Sequence, residues 1–403
     1  MTATAAPAPA RETRPRGSHF GLVLLALAMG GFAIGTTEFV SMGLLPQLAR
    51  GVGVDEPSAG HAISMYALGV VVGAPVIALI GSHWPRRAVL MGLMGLFVVG
   101  NVATALVTSY EALLAARFVS GLPHGAYFGV ASLVAASLAR PGRQAKAVAT
   151  VMLGLSVANL VGVPAATWLG QNLGWRAAFW VVAVLALVTL ALVALHVPSI
   201  PGDHTSSWRR EVRAFGEPQV WLTLGAGALG FGGMFAVYTY VVPTIDKLGG
   251  LSEGAAPVFL FAFGLGMVVG TWVAGELASW SLFGSLFIGG AGQGVLLLLF
   301  AVFAHTGWWT LPIVFMITVT GSVLVVGLQM RLMTVAGEAR TLGAAMNHAA
   351  LNIANALGAW LGGLVIAAGL GYRAPGYVGF GLASVGVAFM FASYLLERRR
   401  ASR

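Results

Sequence analysis

The sequence contains no cysteine, which excludes a disulfide framework, a thiolate nucleophile and a cysteine-ligated metal site. Charged residues are also scarce: Asp, Glu, Lys and Arg make up 9% of the 403 residues, against about 25% in a soluble globular domain. Hydrophobic residues make up 58%. This balance excludes the soluble protein classes and indicates a polytopic membrane protein.

Two residue types that serve phosphate and metal chemistry are almost absent. The only lysines are Lys146 and Lys247, and neither follows the glycine of a phosphate-binding loop, so ATP hydrolysis by that route is excluded. The aspartates, Asp55, Asp203 and Asp246, all lie in predicted loops, which argues against an Asp-rich metal cluster. We therefore expect neither an enzyme nor a cofactor.

Long apolar stretches dominate what is present. A bilayer crossing takes about 20 mostly apolar residues, and twelve stretches meet that length. They are 20–45, 58–81, 87–107, 111–138, 145–170, 175–197, 218–245, 253–277, 282–304, 308–334, 340–369 and 374–396. The predicted fold is an all-α membrane protein with twelve transmembrane helices.

The basic residues predict how these spans are oriented. With the N-terminus in the cytoplasm, 17 of the 22 basic residues lie inside, Arg117 lies in or near a span, and four lie outside: Arg50, Arg176, Lys247 and Arg373. Basic loops favour the cytoplasmic side of a membrane. Both termini are therefore predicted to be cytoplasmic, in a bacterial-type inner membrane. The net charge of +9 reflects this topology, and no nucleic-acid partner is expected.

The two halves of the chain repeat at an offset of 196–197 residues. Matching pairs are Gly35 and Gly232, Pro46 and Pro243, Gly69 and Gly266, Gly73 and Gly270, and Asn159 and Asn355. Six spans in each half give both halves the same orientation, as in two-lobed secondary transporters. The predicted organisation is a disordered cytoplasmic tail (1–19), a six-helix lobe (20–197), a cytoplasmic linker (198–217), a second six-helix lobe (218–397) and a basic tail (398–403).

The first span carries one acidic residue, Glu38, at an energetic cost of about 2.5–3.5 kcal/mol on insertion scales. Glu38 shares a small, partly polar helix face with Gly35 and Ser41. The repeat places Phe235 at the equivalent position, so the carboxylate has no twin. Apolar surroundings favour the neutral form of a carboxyl group, which suits reversible protonation. The alternative is an interfacial carboxylate near the outer mouth.

The fourth span places Arg117, His124 and Phe128 on one stripe. Arg117 can stabilise a carboxylate or tune its proton affinity. An unperturbed histidine titrates near neutrality, so His124 can relay a proton or bind a substrate. The alternatives are that Arg117 snorkels to the interface and that His124 is a packing residue.

Two further spans carry candidate substrate-binding residues. In the eleventh span, His348, Asn352 and Asn355 form a polar stripe that either lines a cavity or makes helix–helix hydrogen bonds, worth about 0.6–2 kcal/mol each. In the seventh span, Phe235 and Tyr238 form either a wall for an apolar ligand or ordinary aromatic packing. Ser41 is a further cavity candidate in the first span.

Several motifs resemble the major facilitator superfamily over nearly the whole chain, and most closely its twelve-span drug:proton antiporters, which include chloramphenicol exporters and arabinose-efflux-type permeases. Residues 35–39, GTTEF, look like that branch's first span, and 117–121, RFVSG, are similar to the fourth-span motif associated with proton transfer. Asn159, Gly162 and Pro164 lie in a stretch that resembles the fifth-span antiporter motif. One departure is the loop 81–87, GSHWPRR, which lacks the usual aspartate and glycine.

This resemblance implies proton-coupled export of small lipophilic molecules by alternating access between two lobes. The expected partners are a small-molecule substrate, protons and the lipid bilayer, and the expected state is a monomer driven by the proton gradient. The rival transport roles are sugar efflux and nutrient uptake, and a different class is a non-transporting membrane sensor or scaffold. The fifth-span motif favours export, and the lack of a sizeable soluble domain argues against a sensor.

Overall fold

A computed structural model of the chain describes residues 17–81, 83–141, 143–202, 216–336 and 340–401, which contain helices, turns and no strand. The first half holds the helices Gly17–Gly43, Leu45–Val52, Glu56–Gly81, Arg86–Leu106, Tyr110–Leu138, Gln144–Val157, Val163–Leu173 and Trp175–His196. The second half holds Pro218–Gly225, Gly232–Thr239, Val241–Lys247, Ala256–Trp280, Leu282–Phe303, Leu311–Val335, Arg340–Val365 and Ala374–Ala401.

These helices combine into twelve spans within the described ranges. A π-helical turn at Ala158–Gly162 joins the two helices of the fifth span, and another at Ala226–Gly230 lies in the seventh. Ten helical stretches of the described residues are long and apolar enough to cross a membrane, and one of them, Leu282–Val335, contains both the ninth and the tenth span. The apolar stretch 58–81 of the helix Glu56–Gly81 supplies the remaining span. A continuous helix satisfies its own backbone groups, which a bilayer interior requires.

The ends of the chain differ from the predicted boundaries. The first helix begins at Gly17, so 17–19 are helical although the tail was predicted to extend to residue 19. The last helix continues to Ala401, into the predicted basic tail, because the arginine-bearing sequence breaks no helix. Residues 1–16 of the predicted tail and 203–215 of the predicted linker lie outside the described residues.

Glycines let neighbouring spans approach closely, and they do so in the same way in both lobes. A Cβ on Gly73 of the second span would lie 2.0 Å from the Leu122 carbonyl oxygen of the fourth. In the second lobe, a Cβ on Gly270 would lie 2.5 Å from the Val319 carbonyl oxygen. Both members of the second pair lie 197 residues after those of the first. The sequence repeat is thus also a repeat of helix packing.

The alternation of span direction defines two ends of the bundle. The described part of the chain begins and ends at one end of the bundle, called here the termini end, where the even-numbered spans finish. The loops after odd-numbered spans lie at the opposite end, called here the far end. Apolar clusters fill both lobes, and the largest of them includes residues of the first and the seventh span, such as Phe39, Met42, Phe235 and Tyr238. The candidate site lies beside this contact between the lobes.

Candidate functional site

Glu38 lies in the first span where the two lobes meet. Its side chain is buried, with 6% of the residue exposed. From the other lobe, Asn355 Nδ2 of the eleventh span donates a long hydrogen bond of 3.5 Å to Glu38 Oε1. A separation of the lobes at this level would remove that contact.

Arg117 of the fourth span is fully buried and donates two hydrogen bonds to Thr37, the residue before Glu38. Its Nη1 donates to Thr37 Oγ1 at 3.2 Å, and its Nη2 donates to the Thr37 carbonyl oxygen at 3.1 Å. Thr37 Oγ1 donates in turn to Asn101 Oδ1 of the third span at 2.5 Å. Among the described residues, no ion pair within 4.0 Å joins Arg117 to Glu38. Arg117 is therefore connected to Glu38 through hydrogen bonds to the neighbouring Thr37 and not by a direct ion pair.

Two aromatic rings enclose the Arg117 guanidinium. Its Cζ lies 4.4 Å from the centre of the Tyr66 ring and 5.5 Å from that of Phe179, which are cation–π distances. The Tyr66 hydroxyl lies 3.1 Å from His124 Nδ1. Arg117 and His124, which the stripe on the fourth span predicted to lie together, are thus linked through Tyr66 of the second span.

Sequence reasoning missed Tyr66, Thr37 and Asn101. Asn101 could have been identified as a site candidate, because it is a lone amide near the end of an otherwise apolar third span. Tyr66 carried none, because a tyrosine within an apolar stretch reads equally well as packing.

The eleventh-span stripe faces the first lobe. The His348 ring stacks on Phe128 of the fourth span, with centroids 6.4 Å apart and planes 5° apart. Asn352 Nδ2 donates to the His348 carbonyl oxygen at 2.9 Å, a bond within one helix. The Oδ1 atoms of Asn352 and Asn355 are buried and have no hydrogen-bond partner. A buried acceptor is costly when it stays unpaired, and these two oxygens retain unused capacity to accept a hydrogen bond.

The aromatic residues of the seventh span contact the first span beside Glu38. Phe235 stacks on Phe39 at 6.4 Å between centroids and 5° between planes, and Tyr238 lies 5.8 Å from Phe39. Ser41, three residues after Glu38, is fully buried with an unpaired Oγ. Phe235, Tyr238 and Ser41 therefore lie around the same inter-lobe contact as Glu38.

The fifth-span motif residues pack against the first and eighth spans. A Cβ on Gly162 would lie 2.5 Å from Thr36 Oγ1, and Pro164 follows the π-helical turn. Asn159 Nδ2 donates to the Leu155 carbonyl oxygen at 3.0 Å, while its Oδ1 is buried and unpaired. Gly162 and Pro164 thus shape the helix, and Asn159 alone offers a free polar atom.

Two arginines of the loop that departs from the family pattern form hydrogen bonds within the first lobe. Arg87 donates to the Ala194 carbonyl oxygen at the end of the sixth span. The Arg86 backbone N–H donates to the Ile200 carbonyl oxygen at 2.8 Å. These arginines therefore bind their own lobe.

Two ion pairs join the lobes at the far end, and they are related by the repeat. Arg50 Nη1 lies 2.7 Å from Glu253 Oε1, and Lys247 Nζ lies 2.7 Å from Glu56 Oε1. Arg50 and Lys247 are 197 residues apart, and so are Glu56 and Glu253. Each lobe thus gives one cation and one carboxylate to the other. We call these two pairs the reciprocal ion pairs.

Further hydrogen bonds surround the reciprocal ion pairs. Gln47 Nε2 donates to Glu253 Oε2 at 2.8 Å, and the Tyr372 hydroxyl donates to Glu56 Oε2 at 3.2 Å. Glu56 precedes the apolar stretch of the second span. Partial burial is the largest single influence and raises the pKa of its carboxyl, but hydrogen bonds from Lys247, Tyr372 and the backbone, together with the charge of Lys247, outweigh burial and hold the pKa below its ordinary value. The far end is therefore closed by the reciprocal ion pairs, and the carboxyl of Glu56 stays ionised near neutral pH.

The family model of the Major Facilitator Superfamily matches residues 27–346. The chain is 41% identical to the inner membrane transport protein YdhP of Escherichia coli (strain K12) over 380 residues, covering 92% of this chain and 95% of YdhP. It is 36% identical to the chloramphenicol resistance protein of Streptomyces lividans over 263 residues, covering 64% of this chain and 67% of that protein.

The fold is similar to a solved transporter. The crystal structure of a bacterial homologue of the human lysosomal transporter Spinster, in an inward-facing and unoccupied conformation, superposes with a TM-score of 0.74. The match covers 94% of this chain and 98% of that structure, at 15% sequence identity. At this identity the likeness concerns the fold alone.

Proposed function

Because this chain belongs to the major facilitator superfamily, whose members are membrane transporters and not enzymes, we propose that it exports small lipophilic molecules in exchange for protons. The observation that carries the proposal is the position of Glu38. Its carboxyl group is buried in a membrane span, contacts Asn355 of the opposite lobe and has no ionisable twin in the repeat. Intramembrane carboxylates in transporters commonly belong to ion or proton pathways.

The network around Glu38 supports reversible protonation coupled to lobe movement. Arg117 and Thr37 belong to the same lobe as Glu38, so their hydrogen bonds can persist while the lobes rock. The Asn355 contact crosses between lobes and breaks when they part. Glu38 would take up a proton from the outside and release it towards the cytoplasm. Each proton that enters is worth about 2.3 kcal/mol per 100 mV of membrane potential.

The orientation in this proposal follows the basic residues. The termini end faces the cytoplasm, as the positive-inside rule favours, and the far end faces the outside of an inner membrane. The reciprocal ion pairs then close the outer side, and opening to the outside requires both pairs to separate. His124 and His348 lie on the cytoplasmic side of Glu38, where they can accept the released proton. The proposed working unit is the monomer.

The character of the site supports a lipophilic substrate. Phe235 and Tyr238 give an aromatic wall next to Glu38, and ligand sites of this kind are mostly apolar with a few polar groups that fix orientation. The similarity to the chloramphenicol resistance protein supports export of drugs of that class. A second candidate is sugar efflux, which the unpaired Oδ1 atoms of Asn159, Asn352 and Asn355 favour because sugar hydroxyls would satisfy them.

Purified protein in liposomes tests the proposal. An imposed pH gradient is expected to drive chloramphenicol against its concentration gradient, with proton movement in the opposite direction. Glu38→Gln should abolish this uphill movement and keep chloramphenicol binding, because glutamine cannot exchange a proton. Glu111→Gln, at an exposed carboxylate of the far end, is the matched control. Uphill transport that persists at the native rate in Glu38→Gln would assign the carboxylate a structural role, and transport of sugars alone would favour the second candidate.

A further inference from the structure

The ninth and twelfth spans form a cluster of aromatic rings at the termini end. The Phe283 ring lies edge-on to Tyr394 at 5.2 Å between centroids, and Phe287 lies 6.5 Å from Phe391 and 6.4 Å from Tyr394. We call these four residues the aromatic cluster. Phe391 is 52% exposed, and the other three are half-buried. The aromatic cluster is therefore accessible from the bilayer that surrounds the bundle.

The helix of the twelfth span continues past the aromatic cluster to Ala401, and its inward face carries a neutralised charge. There Glu397 forms an ion pair with the buried Arg331 of the tenth span. The Arg331 guanidinium also lies on the Phe283 ring, with 4.7 Å between Cζ and the ring centre. Because Arg331 compensates the charge of Glu397, this carboxylate does not offset the arginines that follow it.

The arginines that follow lie beside the aromatic cluster. The Cζ of Arg398 is 5.6 Å from the centre of the Tyr394 ring, which is a cation–π distance. Arg398 and Arg399 are both exposed, and Arg400 is next in the sequence. Basic residues immediately beyond a membrane span attract anionic lipid headgroups. The contact with Tyr394 places the Arg398 charge at the edge of the aromatic cluster.

The first lobe fills the equivalent place with its own chain. In the register of 197 residues that relates the lobes, Pro201 stands where the second lobe has Arg398. The Arg86 backbone N–H donates to the Ile200 carbonyl oxygen at 2.8 Å, so the chain after the sixth span contacts the start of the third. The second lobe instead presents an exposed cation on an aromatic ring at this place.

We propose that the aromatic cluster, together with Arg398 and Arg399, binds an anionic phospholipid. The two guanidinium groups would donate hydrogen bonds to the headgroup phosphate, whose geometry they match. One acyl chain would lie against Phe287 and Phe391. Charge complementarity and depth both favour a lipid, because the exposed cations come directly after an apolar surface that a soluble acidic partner would leave uncovered. The inference goes beyond the proposed function and does not depend on what the protein exports.

Native mass spectrometry of the full-length protein measures this binding. The probes are phosphatidylglycerol and phosphatidylcholine with identical acyl chains, which differ in net charge. The native protein should bind phosphatidylglycerol more tightly than phosphatidylcholine. Arg398→Gln should lower the affinity for phosphatidylglycerol about fivefold, as expected for one cation at a membrane surface, and leave that for phosphatidylcholine unchanged. Arg140→Gln, at an exposed arginine beyond the fourth span, removes the same charge at the same end and should change neither affinity.

Variants of Tyr394 separate a site of defined geometry from the charge of the helix end alone. Tyr394→Phe keeps the ring under the Arg398 guanidinium and should bind phosphatidylglycerol as the native protein does. Tyr394→Leu keeps an apolar side chain but removes the cation–π contact, so it should weaken phosphatidylglycerol binding about threefold.

Three results would overturn the proposal. The first is equal affinity of the native protein for the two lipids. The second is an equal loss of phosphatidylglycerol binding in Arg398→Gln and Arg140→Gln, which would indicate diffuse attraction to the whole basic end. The third is displacement of phosphatidylglycerol by an equal concentration of inorganic phosphate, which would make a free anion the occupant. Selective loss in Arg398→Gln and Tyr394→Leu, with both controls at the native affinity, supports the lipid site.

Discussion

Replacement of Glu56 and Glu253 with glutamine is expected to move the protein towards the state that is open at the far end. The two carboxylates hold the reciprocal ion pairs, one in each lobe. Glutamine keeps nearly the same shape and removes the charge. The closed far end should therefore lose the electrostatic attraction between the lobes without loss of packing.

The magnitude follows from the exposure of the paired side chains. Arg50 and Glu253 are 63% and 25% exposed, and Lys247 and Glu56 are 40% and 18% exposed. Exposed ion pairs contribute about 0.2–1 kcal/mol. Since each carboxylate also accepts a bond from a neutral side chain of Gln47 or Tyr372, about 0.7 kcal/mol per pair is reasonable within that range. The double variant then loses about 1.4 kcal/mol, a tenfold rise in the open-to-closed ratio.

Spin labels can measure this ratio directly. The native chain has no cysteine, so Thr108→Cys and His305→Cys place single labels in equivalent far-end loops of the two lobes, 197 residues apart. Electron–electron distance distributions should show a longer population that grows about threefold in each single variant and about tenfold in the double variant. High salt should produce part of the same shift in the native protein, since it screens exposed charges.

The pH dependence gives a second check. The carboxyl of Glu56 has a pKa below its ordinary value, so the closure that it provides is complete above that ordinary value and is lost only as pH falls through the lowered one. The difference in distance distribution between the native protein and Glu56→Gln should thus be constant from about pH 5.5 to 8. Glu111→Gln removes a far-end carboxylate outside the reciprocal ion pairs and serves as control. An unchanged distribution in the Glu56→Gln, Glu253→Gln double variant, or an equal shift in the control, would refute the reasoning.

Three other outcomes are expected. Arg117→Ala should move the pH of half-maximal export upward more than Arg117→Lys does, because a nearby cation favours the ionised carboxylate; a lower yield of folded protein with an unshifted profile would leave Arg117 only a packing role. Ser207→Cys should react with an impermeant thiol reagent only from the cytoplasmic side and Ser252→Cys only from outside; the reverse labelling would contradict the orientation. Gly73→Ala should destabilise the protein by about 1–3 kcal/mol through overpacking, measured by thermal unfolding, whereas Gly92→Ala, where an added Cβ meets nothing within 4 Å, should not.

Much of the fold could be predicted because the bilayer leaves few choices. A chain with so few charges must bury its backbone groups in helices, so the apolar stretches give the number and order of the spans. The repeat was also readable, since close helix contacts demand small residues such as Gly69 and Gly266 at fixed positions. Boundaries were less accurate at Gly17 and Ala401, because residues 17–19 and 398–401 contain no proline that would end a helix.

The candidate site was only partly predictable. Glu38 and Arg117 stand out in the sequence because an ionisable residue within an apolar span is energetically costly and commonly serves a function. Their partners do not stand out: the bond between Thr37 and Asn101, and the placement of Tyr66 between Arg117 and His124, join spans that are distant along the chain. Nothing in a single span shows which neighbour its polar face will meet.

The sequence by itself determined the membrane class, the twelve spans, the twofold repeat and the lone acidic residue of the first span, because each depends on local hydropathy or on spacing along one chain. Only the tertiary structure decided that Arg50 pairs with Glu253 and Lys247 with Glu56, and that Arg117 packs against Tyr66 and donates to Thr37. Those features depend on which helix faces which, and that arrangement is fixed by close packing of side chains between spans rather than by the hydropathy of any one of them.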